Sequence, residues 1–270
     1  MEAHPHRFVI SEKLEVKLYH DSRPNRMEIA DLQKGLVLEL DSKEIIGEGI
    51  GFGAPVVIYE DDVFFSKTAR LVNVGPKNIT KIFRMDSISR IDFRGHIFGG
   101  SIYKKYYDIV SRLYMETKWS QPLFRIFMAL KRSLGFKTRF ISVEERGSVR
   151  VQFKFIPHKI LVNVDLTGLK TSRCKEILIL NEQDAKSFNR FSDSNGANQD
   201  VDQMGAWEEV KSESATLEGT GVKFTIDRQA GVKLFRGREE VPGRLSWIGF
   251  AYSLQPTVKK FDYIIQILSN

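Results

Sequence analysis

The sequence predicts a mainly β protein, a large antiparallel two-sheet sandwich with one or two short helices. Three observations predict it. Apolar and polar residues alternate strictly in several segments, short polar turns separate those segments, and only one stretch has clear helical spacing. The chain has 270 residues. That length suits one large β domain, with enough interior for a substantial core.

The opening third reads as strands. Leu14, Val16 and Leu18 alternate with Glu15 and Lys17, and LVLEL follows at 36–40 before a DSK turn. In the next stretch Gly47, Gly49, Gly51 and Gly53 recur at every second position. In a strand these glycines fall on one face, opposite Glu48, Ile50 and Phe52. One reading is bare backbone that a flat ligand approaches closely. The preferred reading is a bulged strand whose glycine admits a neighbouring aromatic. No phosphate loop is present, because a hairpin follows where a helix is required. Glu60, Asp61 and Asp62 form the hairpin turn between VVIY and VFF. Three more short strands are expected at 69–74, 79–83 and 88–93.

The middle changes character. Residues 109–117 lean towards a strand. Residues 122–134 form the best helix candidate: Pro122 suits the first helical position, and Leu123, Phe124, Phe127, Leu130 and Leu134 share one face. Strand signals then return. Val149, Val151, Phe153 and Phe155 alternate with Arg150, Gln152 and Lys154. LVNVDL and ILIL follow, and VKFTI, VKLF, LSWIGFAYSL and FDYIIQIL close the chain. Residues 189–221, rich in Ser, Asn, Asp and Gly, are expected to form a long loop.

The formal charge is +7, and the window 101–140 carries all of it. Lys104, Lys105, Arg112, Lys118, Arg125, Lys131, Arg132, Lys137 and Arg139 face only Asp108 and Glu116 there. Such a patch admits an acidic partner, nucleic acid or another acidic polymer included. The plain reading is a solvated helix covering an open sheet end. The domain expectation is a single β domain over 1–270 with a basic helical insertion near 101–140. The alternative is a split into β units at 1–100 and 141–270.

Cys174 is the sole cysteine, so neither an internal disulfide nor a cysteine zinc cluster is available. It reads as a part-buried small residue. No run approaches the roughly 18 apolar residues of a spanning helix, so integral membrane association is not expected. The N-terminal segment lacks an apolar signal core, and a cytoplasmic location is expected.

About fourteen strand candidates suit two large packed sheets. In layout this resembles the giant β-sandwich of the galactose-mutarotase type. The resemblance implies a supersandwich fold and sugar chemistry. Glycoside chemistry uses paired carboxylates, and Glu48, Asp61 and Glu182 are the candidates, with His158 as an acid–base group. Glu182 and Asp184 alternatively open a short helix capped by Asn181. Asp165 shares a strand face with Asn163, and that pair is expected to meet solvent. Ligand-contact candidates are Trp207, Trp119, Phe52 and Arg112. Trp207 stands out as an aromatic inside the polar segment, although packing down is its preferred role.

No metal site or cofactor is predicted. Asp193, Asn195, Asn198, Asp200 and Asp202 offer oxygen ligands of the kind calcium takes. Ala197 and Asn198 break the helix–loop–helix pattern, and a solvated loop is preferred. The leading expectation is a protein that binds or modifies carbohydrate, with a saccharide or other small polar ligand in a carboxylate-lined cleft. The residues leave open whether it is an enzyme. The alternatives are a non-catalytic β-sandwich module and acidic-polymer binding through 101–140. Converging polar groups in a cleft separate the first from the second, and steep salt dependence marks the third.

Overall fold

The computed structural model describes residues 6–9, 14–18, 36–40, 42–46, 52–60, 63–65, 69–75, 77–85, 87–93, 96–98, 136–142, 145–205, 207–241 and 245–268. The helix expected at 122–134, the strand expected at 109–117 and the basic segment up to residue 135 lie outside them. Two compact units are present, one formed by Met1–Asp86 with Glu145–Asn270 and one by Ser87–Glu144.

The strands, in chain order, are β1 (His6–Val9), β2 (Leu14–Leu18), β3 (Leu36–Leu40), β4 (Lys43–Ile46), β5 (Phe52–Tyr59), β6 (Val63–Phe65), β7 (Ala69–Val72) and β8 (Asn78–Arg84). Then come β9 (Ser87–Phe93), β10 (His96–Phe98), β11 (Phe136–Ser142), β12 (Ser148–Ile156), β13 (Lys159–Asp165) and β14 (Cys174–Asp184). The last are β15 (Arg190–Asp193), β16 (Asn198–Asp200), β17 (Glu208–Val210), β18 (Ser214–Gly219), β19 (Val222–Asp227), β20 (Lys233–Val241), β21 (Leu245–Leu254) and β22 (Lys260–Leu268).

In the smaller unit β9 pairs antiparallel with both β10 and β11. The larger unit is a two-sheet sandwich, as expected. One sheet runs β6-β5-β14-β21-β20-β17, and the facing sheet runs β16-β15-β18-β19-β22-β13-β12-β8-β7. A smaller sheet, β1-β2-β3-β4, accompanies them. The Ser187 hydroxyl donates to the Glu44 carbonyl at 2.7 Å, tying that sheet to the turn after β14.

Alternation decides which side chains meet. Val149, Val151, Phe153 and Phe155 of β12 are buried, and Arg150, Gln152 and Lys154 between them are exposed. The inner faces of β14, β19 and β22 repeat this alternation, and β21 is buried continuously over residues 248–252. Their aromatic rings interdigitate across the gap. Phe52 of β5 stacks on Phe153 at 5.6 Å and meets Phe224 of β19 edge-on at 6.3 Å. Phe224 in turn stacks on Phe250 of β21 at 6.3 Å. Each buried ring contributes on the order of 2–3 kcal/mol from area alone.

Gly53 makes the central contact possible. Asn181 pairs with Phe52 and Leu180 with Ala54, so Gly53 bulges out of register. It adopts φ +68°, and a Cβ there would lie 2.4 Å from the Phe153 ring. The glycine admits an aromatic, as the preferred reading of this stretch holds.

Polar groups also enter the core. The Tyr263 hydroxyl donates to Asn181 Oδ1 at 2.7 Å, linking the two sheets. The Tyr252 hydroxyl donates to the Asp227 carbonyl. Burial raises the pKa of both phenols, so both remain donors at neutral pH. Lys81 of β8 is also buried, with its ammonium 6.0 Å from the Phe153 ring centre. Burial lowers its pKa from 10.5 to about 8.

Other expectations resolve as follows. The hairpin holds, with Ile58 opposite Val63. The helix start expected at Asn181 is instead a continuation of β14, because Asn181 and Gln183 face the core opposite Phe250 and Ile248. Asp184 caps a single 3-10 turn, Ala185–Ser187, by accepting from the Lys186 amide. The loop expected over 189–221 is a correction: β15, β16, β17 and β18 lie within it. Cys174 is half-buried, and its burial raises the thiol pKa. Asn163 is exposed and donates to Asp262. Asp165 is half-buried, and the Thr167 hydroxyl and amide lower its pKa.

Two stability experiments follow. Gly53→Ala should destabilise the protein by about 2–4 kcal/mol in chemical denaturation, through overpacking and backbone strain. Lys81 pays a protonation penalty that is full below pH 8 and relieved as pH rises towards 10.5. Lys81→Met should therefore be more stable than wild type at pH 6–7 by up to about 3 kcal/mol. The gap should narrow between about pH 8 and 10, read as the difference between the two denaturation curves.

Candidate functional site

Four of the expected site residues, Glu48, Asp61, Trp119 and Arg112, lie outside the described residues. Phe52 is 1% exposed and committed to the core. His158 has φ 63° in the turn joining β12 to β13, and its carbonyl accepts from the Ile267 amide. Glu182 lies on β14 opposite Gly249, which in turn lies opposite Gly237 on β20. Trp207 covers Gly237, where a Cβ would meet the indole at 2.8 Å. Glu182 and Trp207 therefore flank a two-glycine row, roughly 10 Å apart by strand spacing. Both glycines are buried, so that row offers no open platform.

Among the described residues, an open groove lies elsewhere, in the segment expected to be a loop. A groove of about 600 Å³ is lined by Asn189, Arg190, Asn198, Gln199, Asp200, Gln203, Glu218 and Gly219. The volume falls in the range of small-ligand sites. Its floor is built by register. Arg190 on β15 lies directly opposite Asp200 on β16 and Glu218 on β18. Glu218 lies opposite Lys223 on β19. One row across four strands thus reads carboxylate, guanidinium, carboxylate, ammonium. Phe191 and Leu217 point the other way and are fully buried, which fixes the polar side chains outward.

The row is only partly closed on itself. Lys223 pairs with Glu218 at 3.5 Å, and the Ser192 hydroxyl lies 3.5 Å from the same carboxylate oxygen. The Arg190 guanidinium donates to Asn198 Oδ1 and passes by both carboxylates opposite it. Asp200 has no hydrogen-bond or ion partner among the described residues. Gln199 donates to the Gln203 carbonyl at 2.8 Å, which holds the outer wall.

The acidic cluster weighed for calcium divides into separate tasks. Asp193 Oδ1 accepts from the Asn195 and Ala197 amides at 2.9 and 3.0 Å, closing the turn between β15 and β16. Asp202 faces Arg238 at 2.5 Å. Asn198 and Asp200 line the groove. No group of three or more potential metal ligands exists among the described residues. A signal for these strands exists in the polar–apolar alternation of RFSD and TLEG. Those runs are short and lie among turn residues, which hides a period of two.

No protein-family model matches the chain, and no curated protein sequence does. Solved structures with similar layout include an α-N-acetylgalactosaminidase from Bifidobacterium bifidum, with TM-score 0.47 and 9% identity over 98% of this chain. Another is a glycoside hydrolase family 97 enzyme from Pseudoalteromonas sp. strain K8, bound to acarbose, with TM-score 0.42 and 9% identity over 98% of this chain. The chain spans 36% and 35% of the lengths of these two proteins. A third, assigned as an aldose 1-epimerase from Escherichia coli K12, has TM-score 0.33 and 6% identity, over 98% of this chain and 99% of its own. Scores this low carry no argument for activity or ligand. No described helix is long and apolar enough to cross a membrane.

Asp193 gives a test of the turn. Asp193→Ala should lower stability by about 1 kcal/mol, whether chelator or calcium is present, because the carboxylate serves backbone amides. Thermal melts with millimolar calcium and with chelator should coincide for both proteins.

Proposed function

We propose that the chain binds a neutral saccharide, or a similar small polyol, in the groove floored by Arg190, Asp200 and Glu218. The observation that carries this reading is the unclosed Arg190–Asp200 pair. The two residues face each other across adjacent strands, yet neither hydrogen bond nor ion pair joins them. A hydroxyl is both donor and acceptor, so one hydroxyl can bridge them. It donates to the Asp200 carboxylate and accepts from the Arg190 guanidinium. Both bonds are charge-assisted, and each polarises the other.

The charge balance favours a neutral ligand. The row Asp200–Arg190–Glu218–Lys223 sums to zero, so an anionic ligand meets Asp200 and a cationic one meets Arg190. Flanking amides of Asn189, Asn198 and Gln203 suit further hydroxyls. Two charge-assisted bonds at roughly 1.5–3 kcal/mol each support an affinity in the millimolar to high-micromolar range.

Binding is favoured over bond cleavage. Glycoside hydrolysis uses two carboxylates free for acid and base or nucleophile roles. Glu218 is engaged by Lys223 and Ser192, which leaves Asp200. Affinity for an acidic polymer through 101–140 has no observation among the described residues to favour it.

Titration calorimetry against a panel of neutral mono- and oligosaccharides tests the reading. Saturable heat is expected with at least one sugar class, weaker with the corresponding uronic acid. Arg190→Ala and Asp200→Asn should each lower that affinity roughly tenfold or more. Both side chains are on the surface, so thermal stability should change little. Absence of binding at concentrations far above the expected dissociation constant would overturn the proposal.

A further inference from the structure

The groove has two walls of different origin. Asn189, Arg190, Glu218 and Gly219 belong to β15, β18 and their ends, deep in one sheet. Asn198, Gln199, Asp200 and Gln203 belong to the edge strand β16 and the 3-10 turn after it. A three-residue edge strand has little pairing to hold it. Three Cα partners with β15 are all it makes.

Besides the Gln199–Gln203 bond, the outer wall is held from the opposite sheet. Arg238 of β20 is 18% exposed, and its guanidinium donates to the Val201 carbonyl at 3.2 Å and to Asp202 at 2.5 Å. Its backbone amide donates to the Gly205 carbonyl at 3.2 Å. Just beyond, Trp207 lies on Gly237, Arg236 pairs with Glu208 at 2.9 Å, and β17 pairs with β20. Val201 and Met204 are buried beneath the segment. The Val201 amide reaches back to the Asn189 carbonyl at 3.0 Å, on the other wall.

We propose that residues 198–205 and 207–210 act as a clasp across the end of the sandwich, and that Arg238 is a positioning residue that sets the Asp200 wall of the groove without touching the ligand. Nη1 of the guanidinium holds the 3-10 turn directly after Asp200 through its bonds to the Val201 carbonyl and Asp202. Asp200 must be held at a set distance from Arg190 for one hydroxyl to bridge both. Clasp closure and groove occupancy are therefore thermodynamically coupled, and each favours the other. The ligand half of this inference rests on the saccharide reading. The clasp half does not.

Two backbone amides report on the clasp. Val201 donates to Asn189, and Met204 donates to Val201. Hydrogen exchange at these amides is measured in ligand-free wild type, Arg238→Ala, Arg238→Lys and Asp202→Ala. Asp202 is 88% exposed, so its variant keeps the fold if Arg238→Ala does not. Arg238→Ala should speed exchange at Val201 and Met204 on the order of tenfold, with the β12 and β13 amides unchanged. Arg238→Lys should rescue part, since a single nitrogen, Nη1, serves both acceptors and an ammonium also carries more than one donor. Asp202→Ala should give a smaller acceleration at the same two amides. Arg190→Ala removes only the tie to Asn198 at the far end of the clasp, so it should speed exchange at these amides less than Arg238→Ala while lowering sugar affinity. Unchanged exchange at both amides in Arg238→Ala and Asp202→Ala overturns the clasp. Failure of the wild type to bind any neutral sugar overturns the saccharide reading, and the exchange rates still decide the clasp. If sugar binds, its affinity should fall several-fold in Arg238→Ala. Full affinity with an opened clasp overturns the coupling.

Discussion

The sandwich depends on an aromatic zipper that crosses between its sheets. Phe153, Phe52, Phe224 and Phe250 alternate from one sheet to the other, each ring in contact with the next. Burying large rings on facing strands is favourable only where the backbones come close enough to exclude water. Gly53 supplies that closeness. Any side chain there would occupy the space of the Phe153 ring. The bulge at Gly53 also resets the register of β5 against β14, turning Phe52 inward opposite Asn181. One residue without a side chain thus decides both the spacing of the sheets and the face on which its neighbour lies.

The same constraint explains which parts of the fold were legible in the sequence. VRVQFKF and FDYIIQIL show a clean period of two, and both are half-buried strands with the expected faces. Phe52 was less legible as a candidate contact. A bulge breaks the rule that alternate residues share a face, and a linear pattern does not reveal which way the strand turns afterwards. The segment after residue 189 was misread for another reason. Its strands are three to six residues long and offer at most two apolar side chains each, such as Phe191 or Leu217. Asn, Asp and Gly between them serve turns, as Asp193 does, and their abundance resembles a disordered loop. The groove residues were in view as a cluster of oxygen donors, but strand pairing sorts that cluster among a turn, a clasp and a binding floor.

Polar side chains in the interior divide by whether they have a partner. The Tyr263 hydroxyl donates to Asn181 Oδ1 across the gap, and Gln183 donates to the Asn181 carbonyl at 2.6 Å, although Asn181 Nδ2 and Gln183 Oε1 have no hydrogen-bond partner among the described residues. These groups add direction to a core otherwise held by undirected contacts, which makes one register of the sheets preferable to its slipped neighbours. Lys81 differs. It faces inward on β8, and among the described residues its ammonium meets the Phe153 ring face at 6.0 Å, a weak return for a desolvated charge. Its place in the inner face follows from alternation with Ile79 and Phe83, both fully buried. The energetic tension therefore lies in β8, well apart in strand order from the groove at β15 and β16.

The location of the groove follows from how a sandwich ends. A two-sheet sandwich leaves an exposed edge on each layer, with unpaired backbone groups that invite association with another strand. Here the edge strands β16 and β17 are both three residues long and are joined by one short segment. That segment passes from one sheet to the other and is pinned by Arg236, Arg238 and Trp207. It blunts both edges at once. In crossing, it stands away from β15 and β18, and the space between becomes a groove with a polar floor. Arg190 and Glu218 of that floor belong to the adjacent strands β15 and β18, whereas Asp200 ends the edge strand β16 and leads into the crossing segment. A site divided in this way has a fixed half and an adjustable half. Arg190 and Glu218 are set by pairing within the sheet, and Asp200 is set by what the opposite sheet does to the turn beside it. The arginine on β20 and the carboxylate in the groove are therefore parts of one mechanical linkage, although neither touches the other.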